Sequence, residues 1–559
     1  MLGSRPAAIE SALLCGEWRV EFKLWFAGGP SGPDGLSKGS SSELVVTIDG
    51  RSGTKTDIRF MKLSSLTVLV FALGASLQAL ASNHSFTTLP RSSPEAQGVS
   101  SLGVLEFIDA ADPIDAMNSF MLVRHGQVVA EGWWAPYAPE SNHELFSLSK
   151  SFTSTAVGCA IAEDKLHLDD LVLKFFPENA PGAPSANLKA MRVRDLITMS
   201  AGHQDEAPTA PDKISAQAFL EQPVPHKPGT HFKYNTPATF MLSAIVQKVT
   251  GQTVRDYLQP RLFEPLGIAH PVWNTNWQGI SLGGYGLRVR TEDIAKFGQL
   301  YLQKGRWGGR TLLPAAWVEA ATSRQVSNGS DPESDWDQGY GFQFWRCRHN
   351  AYRGDGAFGQ YCLVLPEQDA VIAITSGLKD MQAVLNLIWN KLLPAFHSGR
   401  LRSDRLAQHK LQERLGHLTM RTVDGTVTSP AAERIRGRKF AFPSNERKME
   451  SVRLVSGRAG GDTEIIMQIA GAEQRFNCGF HEWKKGRARL GAAMDEPMAV
   501  SGAWKDDTYV AKQCFYETPF YVTWKLRLDG MRLVLDEETN VGFSATKRPQ
   551  LVGEAADGP

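Results

Sequence analysis

The chain has 559 residues, too many for one ordinary hydrophobic core, so two or three domains are expected. Hydrophobic residues make up 42%, charged residues 21%, and the formal net charge is +1, a plainly globular composition. No basic block points to nucleic acid, no acidic tail is present, and no repeat of about 20 to 50 residues suggests a solenoid.

In chain order the first distinctive segment is MKLSSLTVLVFALGASLQALASNHS, which begins at Met61. Lys62, an apolar run from Leu66 to Leu73, and Ala79-Leu80-Ala81 follow the order of a secretion signal, with cleavage after Ala81. Gly74, Ser76 and Gln78 interrupt the run, so it matches a spanning helix of about 20 apolar residues poorly. Residues 61–81 are therefore predicted to be a signal peptide. Residues 1–60 become a spurious or disordered extension ahead of a true start at Met61. The mature protein is expected to be secreted or periplasmic, without an integral membrane segment.

Strands and helices interleave from 95 to 397. FMLVRHGQVVAEGWW (120–134) reads as two strands joined at His125-Gly126. Helical patterns follow at 147–163, 192–199, 213–221, 237–250, 291–304, 314–320 and 380–395. Residues 339–347, 358–367 and 369–377 read as strands. Strands at both ends with helices between them predict an α+β domain, an antiparallel sheet faced by a helical body. Residues 398–429 read as a solvated linker helix with leucines at 401, 406, 411 and 415. Residues 430–548 are short alternating runs bounded by Gly, Asp and Asn, an all-β meander or small barrel. The last ten residues carry no pattern and are expected to be disordered.

Six cysteines are present, five of them beyond Ala81. Cys347 and Cys362 flank a hairpin and could pair, as could Cys478 and Cys514; free buried thiols are the equal alternative. No Cys-x-x-Cys or His-x-x-x-His spacing exists, so neither a metal site nor a cofactor is expected.

The chemistry concentrates in ELFSLSKSFTST, residues 144–155, with four serines and one lysine. On a helix Ser147 and Lys150 share one face, Ser149 points away, and Ser151 and Ser154 lie deeper. A serine hydroxyl needs an adjacent base near neutral pH, and a lysine one turn away can serve if burial lowers its pKa. A serine at the first turn also sits beside free N–H groups that can hold an oxyanion. Ser147 alone meets both conditions. The plainer alternative makes it a helix cap, although no Glu or Gln at 150 completes a capping box.

This stretch, together with VRDLITMSAGH (193–203), PGTHFKYNTPATF (228–240), GGYGLRVRTEDIAKF (283–297) and GDGAFGQYCLVLPE (354–367), resembles the serine β-lactamase-like family. That family includes penicillin-binding proteins, serine esterases and 6-aminohexanoate-dimer hydrolase. The resemblance covers residues 95–397 in the family's order. It implies that Ser147 is the nucleophile, Lys150 its base, and Tyr234 of Tyr234-Asn235-Thr236 the second acid/base. It also implies that Gly354-Asp355-Gly356 is the third element, with the Ser147 and Ala357 N–H groups holding the oxyanion. Asn235 and Thr236 join the substrate-binding set by the same resemblance.

Two departures bear on the substrate. Thr236 stands where the family carries asparagine, and the third element has Asp355 where a lysine or histidine is usual. Arg353 is expected to point away, on the reasoning that neighbouring strand residues face opposite sides. An uncompensated Asp355 would repel a substrate carboxylate, which disfavours β-lactams and cell-wall peptides. The resemblance thus implies an acyl-enzyme hydrolase of small-molecule esters, or of amides whose free amine Asp355 could pair with. The rivals are a β-lactamase or D-Ala carboxypeptidase, and a non-catalytic binding protein on the same fold. His143, His203, His226 and His231 lie near the motifs. No Gly-x-Ser-x-Gly elbow accompanies them, so they read as loop or supporting residues rather than a triad.

Overall fold

The computed structural model describes residues 88–456, 462–490 and 494–556, together with the backbone of four strands between residues 8 and 60. Those strands, β1 (Ala8–Cys15), β2 (Trp18–Phe26), β3 (Ser42–Gly50) and β4 (Lys55–Phe60), pair antiparallel in chain order as a unit of their own. The expected leader at 61–81 and the start at Met61 lie outside the described residues. Among the described residues no helix is long and apolar enough to cross a membrane.

Everything from residue 88 onward forms the second unit. At its centre is a six-stranded antiparallel sheet built from the two ends of the catalytic region. Its strands are β5 (Met117–Arg124), β6 (Gln127–Trp133), β7 (Trp345–Arg346), β8 (Tyr352–Gly356), β9 (Gln360–Leu365) and β10 (Ala370–Ser376), in the order β7-β8-β9-β10-β5-β6. Alternate side chains enter two different cores, as the period of a strand requires. Met121, Val123, Cys362, Val364, Val371 and Ala373 face the helical body. Phe120, Leu122, Tyr361, Leu363, Ile372 and Ile374 face the other side. Both faces of the sheet are therefore dry, which is why these strands read as continuous apolar runs.

That alternation also decides the cysteines. Cys362 lies in the first core and Cys347 in the second, on opposite faces of the sheet, so they cannot pair. Cys159, Cys347, Cys362, Cys478 and Cys514 are all free and buried. Of the predicted strand at 339–347 only Trp345 and Arg346 are in a ladder.

Four helices position the site: α1 (Ser101–Ala111), α2 (Ser149–Ala162), α3 (Thr236–Thr250), which packs on α2, and α4 (Thr291–Leu302), which lies on the sheet. α2 is buried along nearly its whole length, so its Ser and Thr hydroxyls must find partners inside. Thr153 donates to the Gly283 carbonyl at 2.9 Å and Ser151 to the Gln343 carbonyl at 2.8 Å. α5 (Arg405–Gly416) is not the solvated linker expected. Ala407 and Leu411 are buried, and Leu411, Leu418 and Met420 complete the second core. The opposite face is solvated as expected: Arg405, Leu406, His409, Lys410, Gln412 and Glu413 are exposed.

The C-terminal module is all β, as expected, and its sheet has ten strands. In chain order these are β11 (Lys439–Ala441), β12 (Met449–Ser456), β13 (Thr463–Ile469), β14 (Ala472–Cys478), β15 (Lys484–Leu490), β16 (Met494–Lys505), β17 (Thr508–Cys514), β18 (Tyr521–Asp529), β19 (Arg532–Thr539) and β20 (Leu551–Ala555). They run β14-β13-β12-β11-β20-β19-β18-β17-β16-β15, and a bridge between Gly479 and Ser501 brings the two ends together into a barrel-like form. Its interior holds Val452, Ile465, Phe476, Trp504, Leu526 and Leu535. A short helix, Pro430–Ile435, adds Ala431, Ala432 and Ile435 to that core. Leu551–Ala555 is not disordered but is the strand between β11 and β19, and without it the sheet would open at that seam.

Candidate active site

The predicted helix start is displaced by two residues. Phe146–Leu148 forms a 3₁₀ turn, and α2 begins at Ser149. In a 3₁₀ turn residues three apart eclipse each other, so Ser147 and Lys150 still align. The Lys150 ammonium nitrogen is 3.0 Å from Ser147 Oγ, 3.3 Å from Thr236 Oγ1 and 2.8 Å from the Gly284 carbonyl. Lys150 is 1% exposed, and burial lowers its pKa to about 7 against the opposing pull of Glu206 and Asp355. Its nitrogen also lies 4.9 Å from the centre of the Tyr234 ring.

The other serines of the segment are engaged elsewhere. Ser149 Oγ accepts the Leu287 N–H at 3.2 Å, and Ser151 is tied to Gln343. Ser154 is fully buried with no hydrogen-bond partner. Ser147 alone is partly exposed. Tyr234 reaches the same hydroxyl, and its ring stacks on Trp345 at 5.3 Å. Burial, reinforced by Asp355, raises the Tyr234 phenol above its ordinary value, and the Ser147 bond opposes that rise. The phenol is therefore a proton donor at neutral pH.

The strand β8 runs against the Phe146–Leu148 turn, and its glycines permit the approach. A Cβ at Gly354 would come within 2.5 Å of Leu148 Cδ1 and 2.6 Å of Ser151 Oγ. One at Gly356 would meet the Leu145 carbonyl oxygen at 2.0 Å. Ala357, just past the strand, is partly exposed.

Arg353 does not point away. It and Asp355 are two residues apart, so they share a face of β8. The guanidinium meets the Asp355 carboxylate at 2.9 Å through Nε and 2.7 Å through Nη2, with both groups buried. Arg353 also lies 4.4 Å from the Trp336 ring centre. Burial pushes the Asp355 carboxyl upward, and Arg353 and then Lys150 pull it back. The acid expected to confront the substrate is already neutralised by a buried cation.

Asn235 is also used differently from the expectation. It is 2% exposed and caps α3, its Oδ1 accepting the Ala238 N–H at 2.9 Å. Thr236 offers its hydroxyl to Lys150, and its N–H donates to Glu206 Oε1 at 3.2 Å. Glu206 is exposed and was not singled out in the sequence, where nothing marks an isolated loop carboxylate. Gly284 was equally missed, although it lies in the GGYGLRV stretch that carries the resemblance.

The histidines sit apart from this chemistry. His143 is buried against the Glu144 carbonyl and Asn118, and burial lowers its pKa to about 4. His203 packs on Phe219 with both ring nitrogens unpartnered, and its pKa likewise falls to about 4 through burial. His226 and His231 stack on each other at 4.1 Å.

The Phe146–Leu148 turn is braced by the C-terminal module. Glu144 Oε1 accepts the N–H groups of Phe146 and Gly286 at 3.3 and 3.1 Å. Its other oxygen meets Arg288 Nε at 3.2 Å, and Arg288 extends to Glu496 of β16 with two bonds of 2.7 Å. Glu144 and Glu496 are both buried. Truncating Glu496 to alanine removes both 2.7 Å bonds from a partly buried guanidinium. The expected cost is about 2–4 kcal/mol of folding free energy, measured by urea unfolding of the full chain.

A sheet faced by helices, with a serine, a lysine and a tyrosine converging at its edge, defines a class of active-site serine hydrolases. Residues 116–389 match the family model described as Beta-lactamase, and that part of the chain belongs to the serine β-lactamase and penicillin-binding-protein-like family. The chain is 26% identical over 287 residues to the 6-aminohexanoate-dimer hydrolase of Paenarthrobacter ureafaciens, covering 47% of this chain and 73% of that protein. It is 26% identical over 344 residues to an Escherichia coli O157:H7 protein provisionally described as a D-alanyl-D-alanine carboxypeptidase, covering 47% and 77% respectively. A penicillin-binding-protein homologue from Caulobacter crescentus aligns with 52% of this chain and 95% of its own, at 19% identity and a TM-score of 0.42.

Proposed function

We propose that the chain is a secreted serine hydrolase that cleaves esters or small amides through an acyl-enzyme on Ser147. One observation carries the reading: a buried lysine nitrogen, its pKa brought to about 7, stands 3.0 Å from a partly exposed serine hydroxyl. At neutral pH roughly half of such a group is unprotonated and able to accept a proton.

In the proposed sequence Lys150 takes the Ser147 proton as Oγ bonds to the carbonyl carbon. The N–H groups of Ser147 and Ala357 hold the resulting oxyanion. Tyr234, protonated, donates to the leaving oxygen or nitrogen as its bond to carbon breaks, and Lys150 replenishes the phenol. Water then repeats the attack on the acyl-enzyme with Lys150 again as base, freeing the acid and Ser147.

The Arg353–Asp355 pair changes the substrate argument. With Asp355 neutralised, repulsion no longer weighs against a carboxylate, yet Arg353 is fully buried and offers it no contact. A neutral ester fits best. An amide with a free amine is the close second, because exposed Glu206 lies beside Lys150 and could pair with it. The relative that hydrolyses an aminohexanoate dimer supports the amide reading. The relative described as a D-alanyl-D-alanine carboxypeptidase keeps cell-wall peptides as a second reading.

The test is a fluorophosphonate probe on the full chain, followed by intact mass and peptide mapping. The expected result is one adduct, on Ser147. No adduct, or an adduct elsewhere, refutes the acyl-enzyme. Turnover of p-nitrophenyl esters, an aminohexanoate dimer, nitrocefin and a D-Ala-D-Ala peptide then ranks the substrates, and rapid nitrocefin hydrolysis would reverse the order given above.

A further inference from the structure

Four phenylalanines from four different segments meet beside the nucleophile. Phe146 immediately precedes Ser147, and Phe358 immediately follows Ala357. Their rings meet edge to face at 5.4 Å. Phe520 and Phe543 come from the C-terminal module. Phe520 lies 6.0 Å from Phe146 and 5.7 Å from Phe358; Phe543 lies 5.8 and 5.0 Å from the same two rings. The four form one continuous aromatic surface, within the range where ring pairs attract.

Three further observations separate this surface from ordinary core packing. Phe543 is 79% exposed, the most exposed large hydrophobic residue among those described, yet it is held against the cluster. Phe146 and Phe358 both adopt left-handed backbone, at φ 46° and 67°, which is costly for bulky side chains and is retained where surrounding structure imposes it. The loops that carry Phe520 and Phe543 are anchored to the catalytic region. Asn540, buried, donates to the Pro519 carbonyl at 2.8 Å and the Gly377 carbonyl at 3.4 Å, and its own oxygen accepts the Tyr521 N–H at 2.9 Å. Tyr137 donates to the Thr518 carbonyl at 3.0 Å, and the Glu144 N–H to the Glu517 carbonyl at 2.9 Å. Two strained residues flanking the reacting groups, and two rings brought in on fixed loops, build a wall in which Phe358 is buried, Phe146 and Phe520 are half-buried and Phe543 is open to solvent.

We propose that this wall is the binding subsite for the apolar portion of the substrate next to the scissile carbonyl, an aryl or medium-length alkyl group. The C-terminal module is then part of the specificity apparatus and not only a brace. The proposal rests on the hydrolase reading above, and it names the class of substrate within that reading.

Phe543 is the residue to change, because its exposure makes it dispensable to the core. In the full chain, Phe543→Ser and Phe520→Ala are compared with wild type on two series: p-nitrophenyl esters from acetate to octanoate, and acetate esters of alcohols from methyl to octyl. The wild type is expected to favour longer chains in one of the two series. Both variants are expected to lose about tenfold in kcat/KM on the longest member while acetate changes less than about threefold. Unchanged chain-length slopes in both variants overturn the subsite. A separate arm uses Ser147→Ala, which keeps the wall without the nucleophile, and measures p-nitrophenyl octanoate binding by equilibrium dialysis with and without Phe543→Ser. Phe543-dependent binding with no wild-type turnover would leave the subsite standing and remove the hydrolase reading. Turnover with flat slopes would do the reverse.

Discussion

Ser147→Ala is expected to lower kcat/KM by about 10⁴- to 10⁶-fold and to abolish fluorophosphonate labelling, with the fold intact by circular dichroism. Lys150→Met should lose nearly as much, because both residues act in one proton transfer, and the double variant should be scarcely worse than either. Such non-additivity distinguishes a coupled pair from two independent contributors. The pH profile gives a second measurement. Lys150 must be unprotonated to act as base and its pKa is lowered to about 7, so kcat/KM should rise with pH through an acid limb near 7. An ordinary exposed lysine would place that limb near 10. Ser147→Ala with activity within tenfold of wild type would remove the nucleophile assignment.

Arg353→Met is expected to destabilise the fold by about 3–5 kcal/mol in urea unfolding, because it leaves the Asp355 carboxylate buried without its cation. Asp355→Asn should cost less, and the double variant Arg353→Met with Asp355→Leu should recover much of the loss, since neither charge then remains. The same pair should move the activity profile in opposite directions. Asp355 raises the Lys150 pKa, so removing its charge should shift the acid limb to lower pH. Removing Arg353 leaves that negative charge less compensated, so any active fraction of Arg353→Met should show the limb at higher pH. A limb that stays in place in both variants would mean that Asp355 does not act on Lys150.

Much of the site was legible because it is local. Ser147 and Lys150 are three residues apart, and any right-handed turn aligns them, 3₁₀ as well as α. The continuous apolar runs of β5, β9 and β10 are equally local, and they mark strands in the right places. Parts that depend on what approaches from outside were misread. Asn235 looked like a substrate ligand and is a helix cap. The leucine-bearing segment around 405–416 looked solvated and closes a core under α1 and β6. The Arg353–Asp355 pair is local as well: residues two apart on a strand share a face, which brings the two side chains together.

What this sequence determined unaided is the alignment of Ser147 with Lys150, the α+β order of residues 95–397, and the all-β character of the C-terminal part. These follow from spacings of a few residues, where chain geometry leaves little freedom. The tertiary structure decided the rest. It lowers the lysine pKa by burying it under Gly284, and it neutralises Asp355. It also brings Glu496, Phe520 and Phe543 across hundreds of residues to the turn that holds Ser147. Desolvation and long-range packing depend on which surfaces meet, and no local spacing encodes that.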